Sequence, residues 1–253
     1  MTMTAIIKNK TYLPRHSIFT PPLPIMDLTK PTNEQLWWQK VETSKSPLSQ
    51  QQYLQAKRLL DLTLIMISVP FLAVVGLLCA LLIKLESPNG PVLFLQQRTG
   101  KDGERFAIYK FRTMVPNAEA LKAQLAHQNE LEYPDFKVSN DPRITRIGKF
   151  LRKSSLDELP QLLNVIRGEM SLVGPRPTSF KPETYALWHT ERLDVQPGLT
   201  GLWQVIGRGT MEFDDRVKLD IAYIHNRCLT LDILILFYTV WAVILHLVIK
   251  WHF

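Results

Sequence analysis

Cysteine is scarce in this chain of 253 residues: only Cys79 and Cys228 occur, with no C-x-x-C pair and no histidine at ligand spacing. A disulfide scaffold and a structural zinc site are thereby excluded, and a reducing, cytoplasmic setting fits. The first ten residues carry no apolar h-region, so a secretory signal is not expected. Acidic residues are the minority: 23 Asp+Glu face 30 Lys+Arg, a formal net charge of +7. That balance suits phosphorylated substrates or an anionic lipid surface. No nucleic-acid motif accompanies the charge, so nucleic acid is not an expected partner. Internal repeats are missing too. The glycines of Gln196-Pro197-Gly198-Leu199-Thr200-Gly201 and Gly207-Arg208-Gly209 match neither a P-loop nor a dinucleotide fingerprint. With 46% apolar and 21% charged residues, the chain is neither wholly disordered nor a polytopic membrane protein.

What is present is unevenly distributed. Residues 1–50 hold six of the seventeen prolines among Thr, Ser and Gln, and read as a polar tail in which Leu36-Trp37-Trp38 is the one apolar cluster. Leu62 to Ile83 is then free of formal charge, about 33 Å as helix at 1.5 Å per residue, enough to cross a bilayer. Ser68 and Pro70 lie about a third of the way in. Proline removes one backbone bond and crowds the preceding turn, so a bend near residues 66–70 is expected. A straight span, a re-entrant hairpin and a buried helix all remain open on the residues alone.

Downstream, Ser87-Pro88-Asn89-Gly90-Pro91 is dense turn chemistry, followed by two short β-prone runs, 92–95 and 106–109. Residues 116–131 read as an exposed helix. In 143–153, Arg143, Arg146, Lys149 and Arg152 recur every third residue beside Ile144, Ile147, Phe150 and Leu151. A basic face next to an apolar one suits a helix in the lipid headgroup layer, or a surface helix packed on a core. Ile233 to Ile249 forms a last run without formal charge, slightly short for a span.

Two runs carry chemistry. In Ser154-Ser155-Leu156-Asp157-Glu158-Leu159-Pro160, Ser155 and Glu158 fit a capping box, while Pro160 disfavours helix at Leu159 and puts both acids at an element boundary. Adjacent carboxylates beside Arg152 and Lys153 can divide labour, one attacking and one holding a cation. In Gly174-Pro175-Arg176-Pro177, two prolines stiffen the backbone around an arginine suited to phosphate.

Taken in order, the runs Lys57-Arg58-x-x-Asp61, Gly90-Pro91-Val92-Leu93-Phe94-x-Gln96-x-Arg98-x-Gly100, Tyr109-Lys110-Phe111-Arg112-Thr113-Met114, Leu151 to Val165, Met170 to Pro177 and Pro197 to Gly201 resemble the bacterial sugar transferases, the monotopic polyprenyl-phosphate phosphoglycosyl transferases. The resemblance covers residues 57 to about 245. It implies an α+β, mainly helical fold: a polar tail (1–50), a re-entrant membrane helix-break-helix (51–86), a cytoplasmic catalytic domain (87–230) and a C-terminal interfacial helix (231–253). Implied too is transfer of a sugar 1-phosphate from a UDP-sugar, a hexose such as galactose or glucose, to undecaprenyl phosphate with release of UMP. Asp157 would be the nucleophile, giving a phosphosugar-aspartyl intermediate, and Glu158 would hold Mg²⁺. Lys110, Arg112, Arg152, Arg176 and Arg208, with Pro175 and Pro177, would serve phosphate and substrate binding. Ser68 and Pro70 would mark the membrane break, although many members carry an adjacent Ser-Pro pair where Val69 here intervenes. The expected partners are the two substrates and the lipid bilayer, with a homo-oligomer left open. The expected location is the bacterial inner membrane, catalytic domain toward the cytoplasm, and the product would initiate exopolysaccharide, capsule or lipopolysaccharide synthesis. The alternative is a membrane-surface scaffold of the same fold without turnover.

Overall fold

A computed structural model describes residues 48–129, 138, 140–207 and 211–249. The tail reading therefore lies outside the described residues up to position 47, as does Arg208. The chain divides into two compact units. One takes in residues up to Leu59, Arg98–Phe106 and Glu169–Thr239; the other takes in Leu60–Gln97, Ala107–Gly168 and the chain from Val240.

Helix α1 (Gln50–Glu86) runs 37 residues, about 55 Å at the standard rise. Its start is a reciprocal cap: the Ser49 N–H donates to Gln52 Oε1 at 2.9 Å and the Gln52 N–H to Ser49 Oγ at 3.3 Å. Lys84 in its last turn complements the negative end of the helix dipole. Pro70 lies inside this one continuous helix, so the interruption expected at 66–70 does not divide the element. Proline deletes a single intrahelical bond, and its neighbours keep theirs; the Ser68 hydroxyl also donates to the Ile65 carbonyl at 3.0 Å. Only 11% of the most apolar window of α1 is buried, which sets it apart from the core helix of a soluble protein. Met66, Ile67, Phe71 and Leu77 are each about 70% exposed.

In the second unit, the core gathers Cys79 and Ile83 of α1, Phe111 of strand β2 (Arg105–Phe111) and Leu151 of helix α3 (Arg146–Ser154), with Val92, Ile147 and Leu156 against them. Strand β1 (Leu93–Thr99) pairs with β2, as the two β-prone runs lead one to expect. The expected helix over 116–131 is shorter: α2 (Ala118–Lys122) tightens into a 3₁₀ turn over Ala123–Gln128. Helix α4 (Leu162–Arg167) follows α3 through a 3₁₀ turn at Leu156–Gln161. Gly148 lets α3 approach the backbone at Thr113; an added Cβ would lie 2.1 Å from the Thr113 carbonyl oxygen.

In the first unit, β3 (Ser171–Val173) and β4 (Gly198–Thr200) pair in parallel, Ser171 opposite Gly198 and Val173 opposite Thr200. Immediately beyond β3, Gly174 and Gly198 meet backbone to backbone; a Cβ on Gly198 would sit 2.1 Å from the Gly174 nitrogen. After the short α5 (Leu202–Ile206), helix α6 (Phe213–Asn226) buries Val217, Leu219, Ile221 and Tyr223. Helix α7 (Leu229–Ile249) starts four residues before the charge-free run read from sequence. Its Leu231 and Ile235 are buried, whereas Ile233, Phe237, Val240, Trp241 and Ile244 are exposed. Asp232, 1% exposed, accepts from two donors, Tyr53 Oη at 2.9 Å and Tyr223 Oη at 2.6 Å, and forms an ion pair with Lys57 Nζ at 3.0 Å. Burial, reinforced by the Asp232 charge, pushes both phenols above their ordinary pKa and keeps them as donors.

Candidate active site

The two acids singled out by sequence sit where α3 stops. Thr145 caps the start of α3, accepting from the Gly148 N–H at 3.0 Å, and Ser155 ends it in the left-handed region at φ 59°. That conformation costs a non-glycine residue energy, and it turns the chain sharply into the 3₁₀ turn carrying Asp157 and Glu158. The capping box expected at Ser155–Glu158 is not formed. Ser155 makes no side-chain cap, and the Glu158 N–H bonds the Ser155 carbonyl at 3.3 Å. Pro160, inside the turn, is buried and favours this tight geometry over an α-helix.

Both acids meet cations within the second unit. Lys110 Nζ of β2 donates to Glu158 Oε1 at 2.9 Å, with both side chains about four-fifths buried. Strand β2 is held in place for this contact by Asn164 of α4, which is fully buried. Its Oδ1 accepts from the Tyr109 N–H at 3.2 Å and its Nδ2 donates to the Ala107 carbonyl at 2.8 Å. Arg152, one turn of helix before the acids, donates from Nε to Thr113 Oγ1 at 2.9 Å. Partial desolvation lowers the pKa of its guanidinium, and the carboxylates of Asp157 and Asp141 pull it back up. Asp141 itself is buried and grips Arg143 through bonds of 2.9 and 2.7 Å, which hold its carboxyl below the usual carboxylate range.

Arg112 is placed differently from the sequence expectation. It is 7% exposed and donates from Nη2 to the Ser87 carbonyl at 3.0 Å, lying over Gly90. Here it secures the turn after α1, and Lys84 binds the Pro88 and Gly90 carbonyls of the same turn, each at 3.0 Å.

Pro175, Arg176 and Pro177 belong to the first unit, where they line a hollow with Thr99, Gly100 and Tyr185. The Arg176 carbonyl accepts from Arg192 Nη2 at 2.8 Å, and that same nitrogen donates to Asp220 Oδ2 at 2.6 Å. Burial pushes the Asp220 carboxyl up to about 6 against the pull of Arg192. Sequence reasoning missed Asn164, Thr113, Arg192 and Glu86 as positioning groups. Asn164 and Thr113 stood inside runs that could have flagged them; Arg192 and Glu86 did not.

Asp157 and Glu158 offer hard carboxylate oxygens, the ligand type of which Mg²⁺ takes one or two while it fills its shell with substrate oxygens.

The family model described as bacterial sugar transferase matches residues 52–246. The galactosyl transferase CpsE of Streptococcus agalactiae serotype III is 44% identical over 196 residues, which cover 76% of this chain and 43% of that protein. The undecaprenyl-phosphate galactose phosphotransferase of Salmonella typhimurium is 50% identical over 162 residues, covering 62% of this chain and 34% of the relative. The exopolysaccharide production protein ExoY of Sinorhizobium fredii is 42% identical over 189 residues, 73% of this chain and 81% of the relative. The chain thus spans less than half the length of the first two relatives and most of the third.

Proposed function

The chain belongs to the bacterial sugar transferase family, and on that premise we propose that it moves a sugar 1-phosphate from a UDP-sugar to undecaprenyl phosphate and releases UMP. The observation that carries this reading is the 3₁₀ turn at the end of α3, where Asp157 and Glu158 stand together with Lys110 bonded to Glu158 and Arg152 within electrostatic reach of Asp157. Asp157 attacks the phosphorus that bears the sugar. The bond from that phosphorus to the bridging oxygen breaks, UMP leaves with that oxygen, and a phosphosugar-aspartyl ester remains. A phosphate oxygen of undecaprenyl phosphate then attacks the same phosphorus and expels the Asp157 carboxylate, giving the diphosphate-linked lipid sugar.

An anion attacks a diphosphate only where negative charge is screened. Lys110 and Arg152 supply fixed cations beside the acids. In the other unit, Arg176 stands on a proline-stiffened turn, a setting suited to binding phosphate. Mg²⁺, held by Glu158 and substrate oxygens, would neutralise charge on the diphosphate. Both half-reactions use one nucleophile, so ping-pong kinetics follow. The relative from Salmonella is named for galactose, which supports a hexose donor. A panel of UDP-sugars with undecaprenyl phosphate is expected to yield UMP with a hexose donor. UDP as the nucleotide product would overturn the reading.

We place the acids at headgroup level on the cytoplasmic face of the inner membrane, with α1 bending at Pro70, its helical turns continuous on both sides of the bend, so that it enters one leaflet and returns, and with α7 lying at the interface. Three features support this: the exposed apolar surface of α1, Pro70 within it, and polar anchors at both ends, Lys57 on Asp232 and Glu86 on α3. In a variant with Cys79 and Cys228 replaced, Ser49→Cys and Asn89→Cys should both react with an impermeant maleimide only from the cytoplasmic side. Labelling from opposite sides would establish a span.

A further inference from the structure

The last residue of α1, Glu86, reaches the start of the helix that carries Arg152 and leads into the two acids. Its Oε1 accepts from the Arg146 N–H at 2.8 Å and its Oε2 from the Ile147 N–H at 3.1 Å. The first amides of a helix have no partner within the helix, and a carboxylate there satisfies them while meeting the positive end of the dipole. Thr145 takes the third amide, at Gly148, so two side chains close the N-terminus of α3 between them. They are not equivalent. Thr145 is local to α3, whereas Glu86 is 60 residues upstream and ends the apolar helix. The link is short and stiff. The turn behind Glu86 is clamped by Lys84 on the Pro88 and Gly90 carbonyls and by Arg112 on that of Ser87, and Cys79 and Ile83 of α1 share a core with Leu151 of α3.

We propose that Glu86 is a positioning residue that ties the seating of α1 in the membrane to the placement of α3, and hence to where Asp157 meets the lipid phosphate. This rests on the phosphotransfer reading above. Its functional signature is uneven. The soluble UDP-sugar comes to the acids from water and is indifferent to their height over the bilayer. The acceptor phosphate is fixed at headgroup level, where a small displacement is costly because attack needs the reacting atoms within about 3–3.5 Å.

The test uses the full chain in nanodiscs of stated lipid composition, comparing Glu86→Gln with Thr145→Ala. Both remove bonds at the start of α3, but only Glu86→Gln loosens the link to α1. Two readouts separate the half-reactions: the UMP burst with UDP-sugar alone, and steady-state turnover as undecaprenyl phosphate is varied. Glu86→Gln is expected to keep the burst amplitude within about twofold of the parent and to raise KM for the lipid acceptor roughly five- to tenfold. Thr145→Ala is expected to leave that KM within about twofold. Equal losses in both half-reactions, matching effects of the two variants, or an unchanged acceptor KM in Glu86→Gln would overturn the proposal. A parent chain that gives no UMP burst with any UDP-sugar would instead refute the phosphotransfer reading itself.

Discussion

Replacing Asp157 by Asn is expected to lower UMP release from the UDP-sugar by roughly three orders of magnitude or more, with little change in the unfolding midpoint. The substitution keeps the shape of the side chain within the 3₁₀ turn but removes the charge and nucleophilicity that attack on phosphorus requires. The turn is held by the left-handed Ser155, by the buried Pro160 and by backbone bonds such as that from the Glu158 N–H to the Ser155 carbonyl. Folding and UDP-sugar binding should therefore survive, and the loss should appear in kcat. Turnover close to that of the parent would remove Asp157 from its role as nucleophile.

Asp220→Ala is expected to be the most destabilising of the single changes considered, at about 3–5 kcal/mol. Arg192 and Asp220 are 5% and 1% exposed and meet at 2.6 Å, so truncating the carboxylate strands a guanidinium away from water. Exchanging both partners for apolar residues of similar volume, Arg192→Met with Asp220→Leu, removes the stranded charge and should recover most of the unfolding midpoint. Activity should not return with it. Arg192 also donates to the Arg176 carbonyl at 2.8 Å, and the turn that presents Arg176 loses that tether in the double variant. Stability regained without activity would mark the pair as the holder of the Arg176 turn. Parallel recovery of both would reduce it to a folding contact.

The positions legible in the sequence were those with a local signal. The three-residue spacing of Arg143, Arg146, Lys149 and Arg152 beside Ile144, Ile147, Phe150 and Leu151 pointed to α3, although the helix starts at Arg146 and leaves Arg143 and Ile144 in the preceding turn, with Arg143 bonded to Asp141; the runs at 92–95 and 106–109 marked β1 and β2. Asp157 and Glu158 were conspicuous as adjacent acids before a proline. Their partners were not, because contact with Lys110 is made across 48 positions and no periodicity announces it. Asn164 on Ala107 and Tyr109, and Asp232 on Tyr53, have the same character: a polar group buried by tertiary packing, whose partner follows only once the chain has folded. Glu86 on α3 is exposed, but its partners lie about 60 positions away and are equally silent in the sequence. The resemblance put Lys110 and Arg112 together near the substrate; in the fold Lys110 bonds Glu158, while the Arg112 guanidinium donates to the Ser87 carbonyl in the turn after α1. The Ser155–Glu158 cap does not form because Ser155, which ends α3 and opens the 3₁₀ turn, is left-handed instead of in the extended conformation usual for a capping residue, and its side chain makes no cap bond.

Intact-mass spectrometry of the full chain after brief exposure to a hexose UDP-sugar, without lipid acceptor, tests the central claim most directly. The account predicts a species heavier by one sugar phosphate, located by peptide mapping to Asp157, lost on adding undecaprenyl phosphate, and missing in Asp157→Asn. Lipid-linked product formed with no such adduct, or with the adduct on another side chain, would contradict it.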